Sequence, residues 1–315
     1  MKNQVPTRLL RTRKVNLQLI DIFPVPVLIM DLGMVIDGMK LTYVRNWYSC
    51  VRSINPETVL AETFLNGTDI EAAGRLTVNV QTFAIKEAVW EVYRSPGGRF
   101  NGCKAVPALK GAVAYFNIGK ELRRAVGDEA GGMAGEMLAE CVRGMIQAET
   151  FLYRERGFET VDDYGRYWER HYLNSCRYYS NLDRVTRLWS EYVSNYWRGA
   201  NFFNRSKSCS VFSGPEGFNT VGNLSDSFHE MAAVIDFDAA GRVAGCRGGF
   251  LRAPDRVCFA CGSLLPGLKG LALPHCGKKQ IGKVIGGGQG CDHLVDLVSD
   301  LAKAVAAVWE SKAGR

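Results

Sequence analysis

Ten cysteines in 315 residues are too dilute for a secreted disulfide scaffold and show no paired spacing, so they read as thiols in a reducing compartment. A long apolar run is also missing. The longest stretch, Val15 to Ile36, is broken by Asn16, Gln18, Asp21, Pro24, Pro26 and Asp31, which argues against a membrane span. Asp21 interrupts what would be the apolar part of a signal peptide, and no small-x-small cleavage site closes it. A cytoplasmic protein is expected. The 39 Lys plus Arg exceed the 32 Asp plus Glu by seven, but no run of like charge concentrates the excess, so charge argues for solubility and makes a nucleic-acid partner unexpected. The glycines follow neither a phosphate-loop nor a dinucleotide pattern. What is present, 47% hydrophobic and 23% charged residues, suffices for one large domain or two ordinary ones and excludes disorder as the main description.

The chain repeats itself. Arg94-Ser95-Pro96 and Pro107-Ala108-Leu109-Lys110-Gly111 are answered by Arg252-Ala253-Pro254 and Pro266-Gly267-Leu268-Lys269-Gly270, at offsets of 158 and 159. The same register lays Gly131-Gly132-Met133 over Gly290-Cys291-Asp292. In each unit short β-rich runs, Leu76 to Val80 and Ala232 to Phe237, precede a helical stretch. Asp238-Ala239-Ala240-Gly241 reads as a hairpin turn. Leu294, Leu297, Val298, Leu301, Val305 and Trp309 share one face of a terminal helix. The expected fold is α+β, with two tandem related units, each a small antiparallel sheet followed by helices. Residues 1–150 form a degenerate first unit, 151–200 an aromatic-rich helical connector, and 201–315 the second unit.

The connector region from Phe151 to Phe203 holds fifteen aromatic residues. Leu182, Val185, Leu188, Trp189, Tyr192, Val193, Tyr196 and Trp197 follow helical spacing, which predicts packing between the two units. Stacking on single-stranded nucleic acid is the alternative. Eight arginines there are nearly matched by seven acids, so a phosphate backbone would find no electrostatic track.

Potential ligands concentrate in the second unit, where Asp255, Cys258, Cys261, His275, Cys276, Cys291 and His293 fall within forty residues. In the first unit Cys103 stands against Cys261, while Gly132 and Ala134 replace Cys291 and His293. The spacing is not that of a zinc ribbon, which needs two close pairs. Thiolate and imidazole still suit zinc or an iron–sulfur cluster, with Cys258, Cys261, Cys291 and His293 as candidate ligands. Equally, the cysteines are small residues suited to burial. Gly286-Gly287-Gly288-Gln289-Gly290 leads into the terminal helix and sets Cys291 and His293 at its first turn. A helix N-terminus favours negative charge, so a lowered Cys291 pKa is expected. Asp226-Ser227-Phe228-His229-Glu230 supplies a second polar group, with a titratable imidazole between an acid and a hydroxyl. His229, Glu230 and Asp226 are the candidate acid–base residues.

His229-Glu230-Met231, the Pro254 to Cys258 spacing, Leu268-Lys269-Gly270 and Gly290-Cys291-Asp292-His293-Leu294 together resemble a bacterial domain of unknown function, number 2889, over residues 200 to 312. The family's name implies no reaction. More distantly, the second unit is similar in arrangement to iron–sulfur scaffold proteins of the NifU and IscU type, in which strands precede a cysteine loop and a later histidine and cysteine lie before a helix. That resemblance implies Cys258 or Cys261 as the loop ligand and Cys291 with His293 as the later group, here in the order Cys-x-His.

Three functions follow as expectations. One is a metal-binding or iron–sulfur-handling protein that meets a metal-delivery partner. Another is an enzyme of lyase or hydrolase type acting on a small molecule, with His229 and Cys291/His293 at its active site and the aromatic middle shaping an apolar pocket. A non-catalytic interaction scaffold is the third. If the two units pack as a pair, the site is expected near their junction.

Overall fold

The computed structural model of the chain describes residues 35–36, 38–193 and 198–313. The interrupted apolar stretch lies outside these residues except at Val35 and Ile36, and so do Tyr196 and Trp197. Among the described residues, no helix is long and apolar enough to cross a membrane.

The strands are β1 (Val35–Ile36), β2 (Met39–Asn55), β3 (Thr58–Gly67), β4 (Glu71–Asn79), β5 (Ile85–Arg94), β6 (Gly102–Ala105), β7 (Asn201–Gly214), β8 (Gly217–Asp226), β9 (Glu230–Asp238) and β10 (Val243–Arg252). The helices are α1 (Gly119–Val126), α2 (Met133–Ala148), α3 (Val161–His171), α4 (Trp189–Val193), α5 (Lys278–Ile285) and α6 (Asp292–Ala313). All ten strands join one antiparallel sheet in the order β10-β9-β8-β7-β2-β3-β4-β5-β6, with β1 paired to β2. The expectation of two small sheets is thereby corrected. Each four-stranded meander begins with a long strand, and β2 and β7 satisfy each other's free edge from Lys40 opposite Ser213 to Arg52 opposite Asn201.

Side chains alternate across the sheet. One face packs under α2 and α6, which sit on the β2–β5 side and the β7–β9 side respectively. Their approach depends on two glycines. A Cβ at Gly74 would come within 2.8 Å of Met137, and one at Gly222 within 2.9 Å of Leu301. The opposite face is polar at the first meander, where Glu62 receives Arg75 at 3.0 Å and Arg52 at 3.2 Å. Two apolar clusters result, one around Leu76, Phe83 and Met137 and one around Ile235, Leu265 and Leu297.

The two meanders share their local geometry. Gly111 N–H donates to the Ile85 carbonyl at 2.8 Å and Lys110 N–H to Pro107 at 3.0 Å; Gly270 N–H donates to Val243 at 2.8 Å and Lys269 N–H to Pro266 at 3.1 Å. The β3, β4 and β5 bounds recur in β8, β9 and β10 at offsets of 158 or 159. The Asp238–Gly241 turn forms as expected: Gly241 N–H donates to the Asp238 carbonyl, and Ala240 N–H to Asp238 Oδ1.

The connector is helical only in parts. Leu182–Arg184 forms a 3-10 turn, then Val185 turns extended before α4. The periodicity fails there because Thr186 and Arg187 give their backbone N–H groups to Asp255 Oδ2, at 2.9 and 3.0 Å, instead of to a preceding turn. Thr186 Oγ1 adds a third bond at 2.7 Å. Asp255 is thus a latch between chain segments, and its carboxyl lies below the usual range: burial would raise it, but the donated hydrogen bonds prevail.

Candidate functional site

Strand β7 carries two cations at inward-facing positions. Phe203, Arg205, Lys207, Cys209 and Val211 alternate on the buried face, so Arg205 and Lys207 lie where an apolar side chain would normally pack. Both are paired. Lys207 Nζ donates to Glu140 of α2 at 2.7 Å and Asp300 of α6 at 2.6 Å, pinning the two helices to the sheet. Arg205 gives Nε and Nη2 to Asp226 Oδ2, at 3.2 and 2.9 Å. An uncompensated charge at either place would be strongly destabilising.

Asp226 ends β8 and shapes the turn into β9. Its Oδ1 accepts the backbone N–H groups of Phe228 and His229, at 2.8 and 2.7 Å, and Arg252 of β10 donates to the Asp226 carbonyl at 2.6 Å. Both oxygens therefore already hold two N–H donors each, the full complement of a carboxylate. Burial would raise its pKa; Arg205 foremost, with the neighbouring imidazoles, holds it well below the usual range.

This turn sets His229 against His293, the second residue of α6. The rings stack with centroids 4.0 Å apart and planes inclined by 29°. His229 Nδ1 lies 3.4 Å from Asp226 Oδ1 but makes no hydrogen bond. His293 Nε2 lies 3.7 Å from Oδ2. Burial drives the His293 pKa down to about 3, with His229 and Arg205 pushing the same way against Asp226, so the ring is neutral at neutral pH.

Both imidazoles line a cavity of 370 Å³, within the range of small-molecule sites. Its wall mixes all three segments read from the sequence: Phe116, Arg143 and Ile146 come from the first, Trp168 and Tyr172 from the connector, and Cys258, Cys261 and Cys291 from the second. The aromatic surface is continuous. Trp168 and Tyr172 have centroids 4.2 Å apart, and Phe116 packs edge-on against both.

The predicted residues separate here. Asp226, His229 and His293 come together, the one group of three potential metal donors within 4.8 Å of one another among the described residues. The cysteines lie outside that group, although Cys291 Sγ is 3.9 Å from His293 Nδ1. Glu230 is not in the cavity wall; it sits at the next strand position, half-exposed, with Arg252 Nε at 3.9 Å. The expected acidic thiol is also corrected. Burial raises Cys291 well above an ordinary thiol, despite N–H groups of His293 and Leu294 pulling the other way, because desolvating a thiolate costs more than one helix end returns. Burial likewise pushes Cys258 to about 12 and Cys261 to about 11.

Arg143, Trp168, Tyr172, Arg177 and Arg205 also line the cavity and carried no individual role in the sequence expectations. Arg205 left a signal: with Lys207 it places two cations in the inward register of a strand whose inward face is otherwise apolar. The cavity aromatics were visible only as a density.

A family model described as a protein of unknown function (DUF2889) matches residues 216–307. That segment, to which the chain is similar, runs from β8 into α6 and contains Asp226, His229, Cys291 and His293, but neither Arg205 nor Phe116, Arg143 and Ile146 of the cavity wall. No curated protein and no solved structure matches the chain.

Proposed function

We propose that the cavity is the active site of an enzyme of lyase or hydrolase type acting on a small organic molecule. The observation that carries this reading is the imidazole pair: His229 reaches the cavity with Nδ1 buried and unpartnered, its backbone fixed by Asp226. His229 accepts a proton from the substrate or a bound water and returns it to the leaving group, leaving no net change in protonation. His293 stays neutral and offers a hydrogen bond from its ring. Asp226 is a positioning residue, since Arg205 and two backbone N–H groups occupy it.

The competing reading is a metal or iron–sulfur site, favoured by the presence of Cys258, Cys261, Cys291 and His293 in one cavity wall. Zinc or a cluster would hold those cysteines as thiolates, and its binding would release their protons. Asp226 would have to give up an N–H donor to bind an ion.

Incubating the protein with small-molecule mixtures in deuterated water, with mass spectrometry of the products, tests the choice. Turnover or deuterium incorporation lost in His229→Asn supports acid–base catalysis. Equal conversion by His229→Asn, or stoichiometric metal that Cys291→Ala removes, overturns it.

We also propose that the two meanders with their helices are copies of one unit, of which the second kept the chemistry. The matched strand bounds and paired turn hydrogen bonds support this. Transfer of a permuted chain that begins at β7 and ends at α4 tests it: a folded, thermally cooperative product is expected, and an unfolded one contradicts interchangeable halves.

A further inference from the structure

The cavity concentrates unanswered polar atoms. Among the described residues, nine buried side-chain nitrogen or oxygen atoms lack a hydrogen-bond partner, and five of them belong to residues of this one wall: Arg143 Nε, Trp168 Nε1, Ser175 Oγ, Arg177 Nε and His229 Nδ1. Buried polar groups are ordinarily satisfied. Three of the five, the two guanidinium nitrogens and the indole nitrogen, can only donate. What is missing is therefore an acceptor. A ligand that supplied further donors, an amine for example, would leave them as they are.

The sign of the charge points the same way. Arg143, Arg177, Arg205 and Lys278 line the cavity, against Asp292 and Asp296. Most of these cations are already engaged: Arg143 with Glu140, Arg205 with Asp226, and Lys278 with Asp296. Arg177 is different. Its Nη1 donates to the Gln289 carbonyl and to Gln289 Oε1, at 3.2 and 3.1 Å, and it has no carboxylate partner among the described residues. Its own backbone N–H is tied to the Gly290 carbonyl at 2.9 Å, next to the segment that carries Cys291 and His293. The guanidinium is thus held in the wall that also carries both imidazoles, as an unneutralised cation and a ready partner for a planar oxyanion.

The remaining wall is aromatic. Trp168 and Tyr172 face the space with Tyr179 beside them, Tyr172 and Tyr179 having centroids 5.4 Å apart. Such surfaces favour a flat apolar body stacked or set edge-on against the rings.

We infer that the cavity binds an aromatic carboxylate, its carboxylate on Arg177 and its ring against Trp168 and Tyr172. This rests on the reading of the cavity as a small-molecule site and names the class of molecule that occupies it. The indole N–H of Trp168 and the Ser175 hydroxyl are left to meet further oxygen substituents of the ligand.

Calorimetric titration of the full chain with 2-naphthoate and with its neutral isostere 2-naphthamide tests the inference. Naphthoate is expected to bind about tenfold or more tightly than the amide, as a charge-assisted hydrogen bond would give. Arg177→Gln should remove that preference while leaving amide binding and the melting temperature near wild type, and Arg177→Lys should keep part of it. Equal affinity for acid and amide, no binding of either, or an Arg177→Gln protein that is folded by its melt yet still prefers the acid would overturn the inference. His229→Asn separates the two levels. If it binds naphthoate like the wild type, the ligand class stands whether or not catalysis depends on His229; if naphthoate fails to bind while His229→Asn still abolishes turnover of another molecule, the acid–base reading stands and the ligand class falls.

Discussion

Between β3 and β4 the chain turns through Gly67-Thr68-Asp69-Ile70, and between β8 and β9 through Asp226-Ser227-Phe228-His229. The backbone treats them alike. Gly67 N–H donates to the Ile70 carbonyl at 2.8 Å, and Asp226 N–H to the His229 carbonyl at 2.8 Å. Each turn is clasped by the last arginine of the meander, Arg94 reaching the Gly67 carbonyl and Arg252 the Asp226 carbonyl, both at 2.6 Å. Only the side chains differ. Ile70 joins the first apolar cluster, whereas His229 faces the cavity with Asp226 beneath it. At the start of the following helix the same contrast recurs between buried Ala134 and His293. The frame is therefore held by backbone bonds and a clasping arginine, and the titratable groups are added to it at a few positions that the first unit fills with glycine, isoleucine and alanine.

The largest break in this comparison should come from Asp226→Ala. It strands Arg205 without its carboxylate in a buried place and removes two turn hydrogen bonds, so a loss of about 3–5 kcal/mol is expected in urea unfolding. Its counterpart Gly67→Ala should lose under about 1 kcal/mol, since an added Cβ meets nothing nearer than 3.3 Å. Similar losses at both turns would show that the carboxylate is not what distinguishes them.

Gly290→Ala is next. A Cβ there would run into the Ile285 carbonyl, so the strand of chain bearing Cys291 and His293 must move, at about 1–3 kcal/mol. At the matching position of the first unit, Gly131 has φ of +66° and a Cβ would meet only the Phe100 ring, at 3.3 Å, so Gly131→Ala should cost about 1 kcal/mol, mostly through backbone strain. Both are read from the shift in melting temperature.

A smaller and pH-dependent effect belongs to His293. Its folded pKa of about 3 lies below the ordinary 6.5, so the unfolded chain takes up a proton first as pH falls. The stability that the neutral ring contributes is complete above pH 6.5 and declines from there toward pH 3, by at most one proton's worth, about 1.4 kcal/mol per pH unit. Subtracting the His293→Gln curve from wild type should isolate that slope; a flat difference between pH 6.5 and 4 would contradict it. The smallest effect is on thiol labelling. Cys103 is exposed, whereas its register partner Cys261 and the site's Cys291 are buried, so Cys103 should react first and Cys291 among the last with a disulfide reagent.

Much of the frame was readable because it rests on local rules. A short β-rich run marked β9, glycine after aspartate marked the turn at Asp238, and apolar spacing marked α6. The joining of the two meanders into one sheet was not readable, since edge pairing between β2 and β7 leaves no periodic signature. Residues 182–197 followed a helical period and still broke at Val185, because Asp255, far along the chain, captures the N–H groups a helix would have used. At the site, His229, Asp226 and His293 were visible as titratable residues beside turns. Their convergence was not, and neither was the protonation of the cysteines, which depends on burial that no spacing encodes. Glu230 was drawn in by adjacency to His229, although it opens β9 and its side chain lies toward Arg252, outside the cavity wall.

The measurement that bears most directly on the imidazole pair is a nitrogen-15 spectrum of the histidine side chains from pH 8 to pH 4, with and without 2-naphthoate. The chain has four histidines, so His229 and His293 can be assigned by single substitutions. His293 should remain neutral down to about pH 4, and the ligand should shift His229 and His293 while His171 and His275 stay in place. A His293 that titrates near 6.5, with no ligand-induced shift at either member of the pair, would contradict a buried imidazole pair serving a small-molecule site.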